Sequence, residues 1–305
     1  MTFSFFNKKT KILFYGSRGW IGSLFLDYLA TVKKIKIVQG SSRLENYNDV
    51  KEEIKKVRPT HVVSFTGRTH GVIDDKKIGT IDYLEYPGKL VENVQDNLYG
   101  PLNLAILCKK YKVHYTYLGT GCIFNSKDIN TDEPQMFTED SKPNYFGSGY
   151  SVVKGFTDQL MHNYPVLNLR IRMPIHSKVN DRNFITKITK YERICSINNS
   201  MTVLDEFFPI FVDLILNKKT GTFNCVNPGV IDHNTILTMY KKIVDPEFNW
   251  ENMTLEEQAQ ILKSERSNNK LDTSKIEAAY PHLKNIKMAV EIILNKMKSD
   301  ASQLV

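Results

Sequence analysis

The 305-residue chain contains no apolar run approaching the roughly 18 residues that a membrane-crossing helix requires, so no span is expected. Cysteine is scarce. Its four positions (Cys108, Cys122, Cys195 and Cys225) form no CxxC pair and have no histidine at metal-like spacing. That argues against a disulfide framework or a metal centre and favours free thiols in a reducing cytoplasm. Internal repeats, low-complexity tracts and flexible linkers are lacking too. The first nine residues, Met1 to Lys9, place aromatics before charges around no apolar core, and do not read as a secretion signal.

Charge is not lacking, but it is dispersed. A net charge of +8 comes from 41 basic against 33 acidic residues, with short pairs at Lys33-Lys34, Lys218-Lys219 and Lys241-Lys242. Nucleic-acid binders cluster such residues on one element with aromatics between them, so no nucleic-acid partner is expected. A solvated basic surface that attracts an anionic small substrate accounts for the excess. Hydrophobic content of 41% and charged content of 24% fit a globular protein with one substantial core and a smaller second lobe.

The first half alternates short β-branched runs with amphipathic stretches. Lys11 to Tyr15 reads as a buried parallel strand, followed over 20–32 by helical spacing through Trp20, Ile21, Leu24, Phe25, Tyr28 and Leu29. Strands are expected at Ile35–Val38, Thr60–Phe65, Val113–Leu118 and Val166–Arg172. Helices are expected over 48–57, near 88–111 and following Tyr150. This alternation predicts an α/β fold with a doubly wound parallel sheet. Beyond residue 180 the pattern loosens, with mixed elements over 201–240 and a polar, helical stretch over 251–275.

Gly16-Ser17-Arg18-Gly19-Trp20-Ile21-Gly22 lies between the first strand and the first helix. Glycine permits the tight turn and lets backbone amides approach a pyrophosphate at the helix N-terminus. The second strand runs into Gln39-Gly40-Ser41-Ser42-Arg43 with no acid before Glu45, where an NAD enzyme usually carries one for the ribose hydroxyls. Arg43, helped by Arg18, can pair with a 2′-phosphate, which favours NADPH over NADH. The alternative is that both are plain surface arginines.

Tyr150-Ser151-Val152-Val153-Lys154 sets a phenol and an ammonium on one helix face, where the cation favours the phenolate. Thr120, at the end of the fourth expected strand, can hold a carbonyl oxygen while Tyr150 donates a proton. Glycine turn, hydroxyl and YxxxK in this order resemble the short-chain dehydrogenase/reductase family. Five strings narrow the resemblance: Gly119-Thr120-Gly121-Cys122-Ile123-Phe124, Arg172-Met173-Pro174-Ile175, Arg182-Asn183-Phe184-Ile185-Thr186-Lys187, Asn227-Pro228-Gly229 and Arg266-Ser267-Asn268-Asn269. They are similar to the bifunctional 3,5-epimerase/4-reductases of plants and large DNA viruses, which make UDP-L-rhamnose from UDP-4-keto-6-deoxy-D-glucose. The similarity runs from about residue 11 to about residue 290.

The resemblance implies an NADPH-binding Rossmann domain over 1–175 and a mostly substrate-binding lobe over 176–305, with about 200–230 returning to the Rossmann core. It implies Thr120, Tyr150 and Lys154 as the reductase group, and Cys122 and Lys187 as the epimerase acid/base pair. The cofactor is expected on residues 16–22, Arg43, Thr66, Asn97 and Lys154, and the substrate on Asn183, Arg266 and Asn269. Arg266 is left between the substrate diphosphate and a nearby carboxylate. The family further implies a homodimer, a cytoplasmic setting and coupling to a nucleotide-glucose 4,6-dehydratase. A plain 4-reductase would have no use for Cys122 and Lys187, and a non-catalytic dinucleotide-binding regulator would have no use for Tyr150 and Lys154. The loop from Gly67 to Glu85 departs from the family's usual run and is longer.

Overall fold

The computed structural model describes residues 10–302; the Met1–Lys9 reading lies outside them. Six parallel strands form the central sheet: β1 (Thr10–Tyr15), β2 (Ile35–Gln39), β3 (His61–Ser64), β4 (His114–Thr120), β5 (Val166–Ile171) and β6 (Gly221–Asn224). Their order across the sheet is β2-β1-β3-β4-β5-β6. Strands β3 and β5 are buried along their whole length, as continuous apolar runs covered on both faces must be.

Between them run α1 (Trp20–Ala30), α2 (Tyr47–Val57), α3 (Lys89–Val94), α4 (Gly100–Tyr111) and α5 (Gly149–Met161). The single helix expected near 88–111 is interrupted, because a π turn at Gln95–Tyr99 joins α3 to α4. After β5 come α6 (Phe184–Ile188), α7 (Leu204–Leu216), α8 (His233–Ile243), α9 (Leu255–Ile261), α10 (Ser274–Ala279) and α11 (Ile286–Ser302). The stretch over 251–275 is mostly irregular loop, with only α9 and the first residues of α10 helical. Its polar, Asn- and Ser-rich composition here serves loop hydrogen bonding.

Two large cores result. On one face of the sheet, Phe25 of α1 packs between Phe14, Phe65, Phe208 and Phe211, so α7 closes the sheet although it follows β5 by more than thirty residues. A second core gathers Ile185, Ile236, Ile286, Val290 and Ile293 into the smaller lobe. No helix among the described residues is long and apolar enough to cross a membrane.

At the sheet edge opposite the strands' C-terminal ends, His61 and His114 stack edge to face at 5.3 Å, both buried. Burial, and then the neighbouring His114 and Lys218, push His61 down to about 4, and burial also lowers His114. A histidine held neutral by folding takes up its proton more readily when unfolded. Its contribution is therefore intact above about pH 6.5 and is lost as pH falls toward 4. Thermal unfolding should show a midpoint that drops across this window, and His61→Phe should flatten the drop. An unchanged slope in that variant would assign the acid sensitivity elsewhere.

Candidate active site

The C-terminal ends of the strands open into a cleft of about 1580 Å³ that runs from the glycine turn past Thr120 and Tyr150 to Arg266 and Met253. A drug-sized ligand fills roughly 300–1,000 Å³, so this space suits a dinucleotide with a second ligand beside it.

Glycine is required at two points of the turn after β1. Gly16 has a φ of +90°, and a Cβ there would lie 2.7 Å from the Phe65 carbonyl carbon. At Gly22 a Cβ would meet the Gly16 carbonyl oxygen at 2.0 Å, so α1 can approach the turn only with glycine. The N-cap of α1, Gly19, supplies no side-chain cap, which leaves first-turn amides facing the cleft between Ser17, Arg18, Trp20 and Ile21. This cradle fits a pyrophosphate.

The turn after β2 is organised by a residue that sequence reasoning missed. Glu53 of α2 accepts hydrogen bonds from Ser41 N (2.8 Å), Ser42 N (3.1 Å) and the Tyr15 hydroxyl (2.8 Å). Its oxygens are thus spent on protein donors, and it does not line the cleft. Arg43 does line it, with its side chain 63% exposed and paired to Glu45 at 2.9 Å. Thr66 lines the cleft beside Gly67. Asn97 does so as well, but its side chain is committed to Arg68 N, Arg68 O and Asn93 at 2.9 Å each. Asn97 thus fixes the π turn against the loop after β3, with both amide hydrogens spent on protein acceptors.

Thr120 ends β4, and its hydroxyl accepts the Cys122 amide at 3.1 Å. Tyr150 and Lys154 project from α5, whose first turn is tied down by two serines. The Ser148 hydroxyl caps Ser151 N at 3.1 Å, and Ser151 Oγ donates to the Cys122 carbonyl at 2.7 Å. These bonds hold the Tyr150 turn against the Thr120–Cys122 loop. Burial and the nearby Cys122 raise the Tyr150 phenol above its ordinary range, against a hydrogen bond with Thr120 and the charge of Arg182. The phenol is therefore protonated, as a donor must be. Burial drags Lys154 down to about 8, with Asp158 and Cys122 opposing.

Cys122 and Lys187 line the same cleft. The Arg172 guanidinium, itself buried, lies 3.5 Å from the Cys122 sulfur. Its other acceptors are Ser267 Oγ and O, Asn199 Oδ1 and the Gly121 carbonyl, so among the described residues no carboxylate pairs with it. Lys187 donates to the Gly79 carbonyl at 3.2 Å, and burial, then Arg182 and Arg266, lower it to about 8.

Both groups are braced by the loop that departs from the family run. It forms a hairpin (Gly71–Ile73 with Lys76–Ile78) and a short helical turn, and Ile73, Ile78 and Ile81 pack with Tyr83, Tyr150 and Cys122. Asp82 accepts from Lys263 N (2.9 Å), Ser264 N (3.0 Å) and the Arg266 guanidinium. Burial would raise its carboxyl, but Arg266 and Thr80 outweigh that and bring it to about 2. Of the two partners open for Arg266, the structure pairs it with a carboxylate, that of Asp82. No motif marked Asp82 beforehand; Arg182, which opens one of the five strings but was given no role there, donates to Thr69 of the same loop.

Two expected substrate contacts do not face the cleft. Asn183 caps α6 and donates to the His176 (2.7 Å) and Lys178 (3.0 Å) carbonyls, while Asn269 donates to Gly121 O (2.9 Å) and Phe124 O (2.7 Å). Both are fully buried. Asn183 thereby fixes the start of α6, which carries Lys187, and Asn269 shapes the loop that carries Cys122.

Residues 12–173 match the model of the NAD dependent epimerase/dehydratase family. The L780 UDP-rhamnose synthase from Acanthamoeba polyphaga mimivirus is 51% identical, with a TM-score of 0.90 over 94% of this chain and 99% of that one. A bifunctional dTDP-4-dehydrorhamnose 3,5-epimerase/dTDP-4-dehydrorhamnose reductase of Arabidopsis thaliana is 40% identical over 281 residues, 90% of this chain and 89% of its own. The dTDP-4-dehydrorhamnose reductase of Bacillus anthracis, solved with NADP, shares the fold with a TM-score of 0.77 at 15% identity, over 93% and 98% of the two chains.

Gly22→Ala should weaken dinucleotide binding by at least about tenfold, on the order of 1.4 kcal/mol, as read by calorimetric titration. Binding at wild-type strength would mean that the turn relaxes around the 2.0 Å overlap.

Proposed function

The chain belongs to the NAD dependent epimerase/dehydratase family, and from that premise we propose that it converts UDP-4-keto-6-deoxy-D-glucose to UDP-L-rhamnose by 3,5-epimerisation and NADPH-dependent 4-keto reduction. The observation that carries this reading is that one cleft holds the Thr120–Tyr150–Lys154 group together with Cys122 and Lys187. The relatives that are 51% and 40% identical are a UDP-rhamnose synthase and a bifunctional epimerase/reductase, respectively.

A ketone at C4 acidifies the hydrogens at C3 and C5. An acid and a base on opposite faces of the ring can then invert each centre through an enolate. Cys122 and Lys187 take these parts. The Lys187 amine, at about 8, gives and accepts protons near neutrality, and its charged form stabilises the enolate. Arg172 places a further positive charge beside the sulfur. When bound, the cofactor supplies hydride to C4. Tyr150 donates a proton to the carbonyl oxygen, Thr120 orients that oxygen, and Lys154 holds positive charge beside the phenol. Reduction removes the ketone and so locks the inverted centres.

Residues 16–22, Arg43 and Thr66 form the cofactor end, with Arg43 and Arg18 facing a 2′-phosphate; this favours NADPH. Arg266 serves the substrate diphosphate, and the lobe after residue 176 holds the sugar nucleotide. Leu90, Val91, Tyr99 and Phe156, exposed on and beside the packed helices α3 and α5, suit a homodimer face. A 4-keto-6-deoxy substrate must come from a reaction that takes hydride from C4, eliminates water across C5 and C6 and returns the hydride to C6, so a 4,6-dehydratase acts upstream.

Incubated with UDP-4-keto-6-deoxyglucose and NADPH, the protein should oxidise the nicotinamide and yield UDP-L-rhamnose. Cys122→Ala should cut formation of that product by about 100-fold. A product of D configuration from the wild type, or full activity in the variant, would reduce the assignment to a plain 4-reductase.

A further inference from the structure

Lys154 has a partner that no motif marks. Its ammonium donates to the hydroxyl of Tyr117, a residue of β4 that is 1% exposed, and lies 4.5 Å from the centre of the same ring. A buried ammonium needs acceptors for its donors, and here the hydroxyl and the ring face provide them from the wall behind α5. We propose that Tyr117 is a positioning residue for Lys154, its hydroxyl holding the ammonium beside Tyr150 during reduction. The inference rests on the reductase reading above.

The groups around Lys154 give the contact leverage. On α5 itself, Tyr150 lies one turn before it and Asp158 one turn after. From β5, Arg170 pairs with Asp158 at 2.9 Å and engages its charge. From β4 and the loop after it come Tyr117, Tyr115 beside it, and Cys122. Burial already draws Lys154 down to about 8. A hydrogen bond accepted from the charged form favours that form. Without the hydroxyl the amine would lose its proton at lower pH, and Tyr150 would lose the neighbouring charge over part of the working range. Tyr117 does not line the cleft, so it acts through Lys154 and leaves Cys122 and Lys187 untouched.

Tyr117→Phe isolates the hydroxyl, since it keeps the ring under the ammonium. Two readouts on the full-length protein separate the half-reactions. Deuterium uptake from D₂O at the sugar carbons of UDP-4-keto-6-deoxyglucose, without NADPH, reports epimerisation. NADPH consumption between pH 6 and 9.5 reports reduction. We expect kcat for reduction to fall about tenfold at pH 8, with the basic limb about one pH unit lower and deuterium uptake within about twofold of wild type. Tyr117→Leu, which also removes the ring, should displace the limb in the same direction. Reduction and pH profile unchanged in Tyr117→Phe would overturn the proposal. So would a parallel loss of both half-reactions that follows a lowered melting temperature, which marks a merely structural role. A wild type that neither exchanges deuterium nor consumes NADPH would instead overturn the reductase reading, and this inference with it.

Discussion

The arrangement of the site depends on a charge pair inside the core. Asp158 of α5 and Arg170 of β5 meet at 2.9 Å, and Arg170 is fully buried. Asn168 adds a bond to Asp158 at 2.9 Å, and Asn224 of β6 accepts from Arg170 at 3.0 Å. Such a pair adds little net stability over an apolar equivalent, yet losing one partner leaves an uncompensated charge at a cost of about 3–5 kcal/mol. Its effect is on registry. It fixes the helix carrying Tyr150 and Lys154 against the two strands beside it. The buried charge also opposes the desolvation of Lys154 one turn away.

Upon that frame the cleft is assembled from pieces far apart in the chain. The hairpin after β3 touches Tyr150, Cys122, Lys187 and Arg266 through packing, the Gly79 carbonyl and Asp82. Arg172 brings a buried cation with no carboxylate partner among the described residues. Positive charge thus accumulates on the side where an anionic sugar nucleotide and an enolate would place negative charge.

Much of this was legible beforehand, for reasons that differ by element. The buried strands read clearly because both faces are covered, and the glycine turn because 2.0 Å of clearance admits no other residue at Gly22. Tyr150 and Lys154 share a helix face, so their pairing is local. Contacts across long separations left no trace in the sequence. Asp82 meets Arg266 across 184 positions and Lys154 meets Tyr117 across 37. The polar strings misled where Asn183 and Asn269 hold loop backbone instead of facing the cleft, since asparagine caps and binds ligands with the same atoms. The π turn that divides the helix near 88–111 was equally invisible, because the apolar periodicity runs through it.

The sheet's last strand carries a consequence for biogenesis. β6 spans Gly221–Asn224 and pairs with β5 only after α6 and α7 have intervened, and the aromatic core around Phe25 draws on Phe208 and Phe211. Translation delivers these parts late. When β5 emerges from the ribosome its outer edge has no neighbour and half of the Phe25 pocket is missing. The nucleotide-binding half of the molecule therefore cannot mature by itself on the nascent chain; it waits for residues that the ribosome adds some fifty positions later. During that interval an unpaired edge of Val166–Ile171 is open to association with other chains.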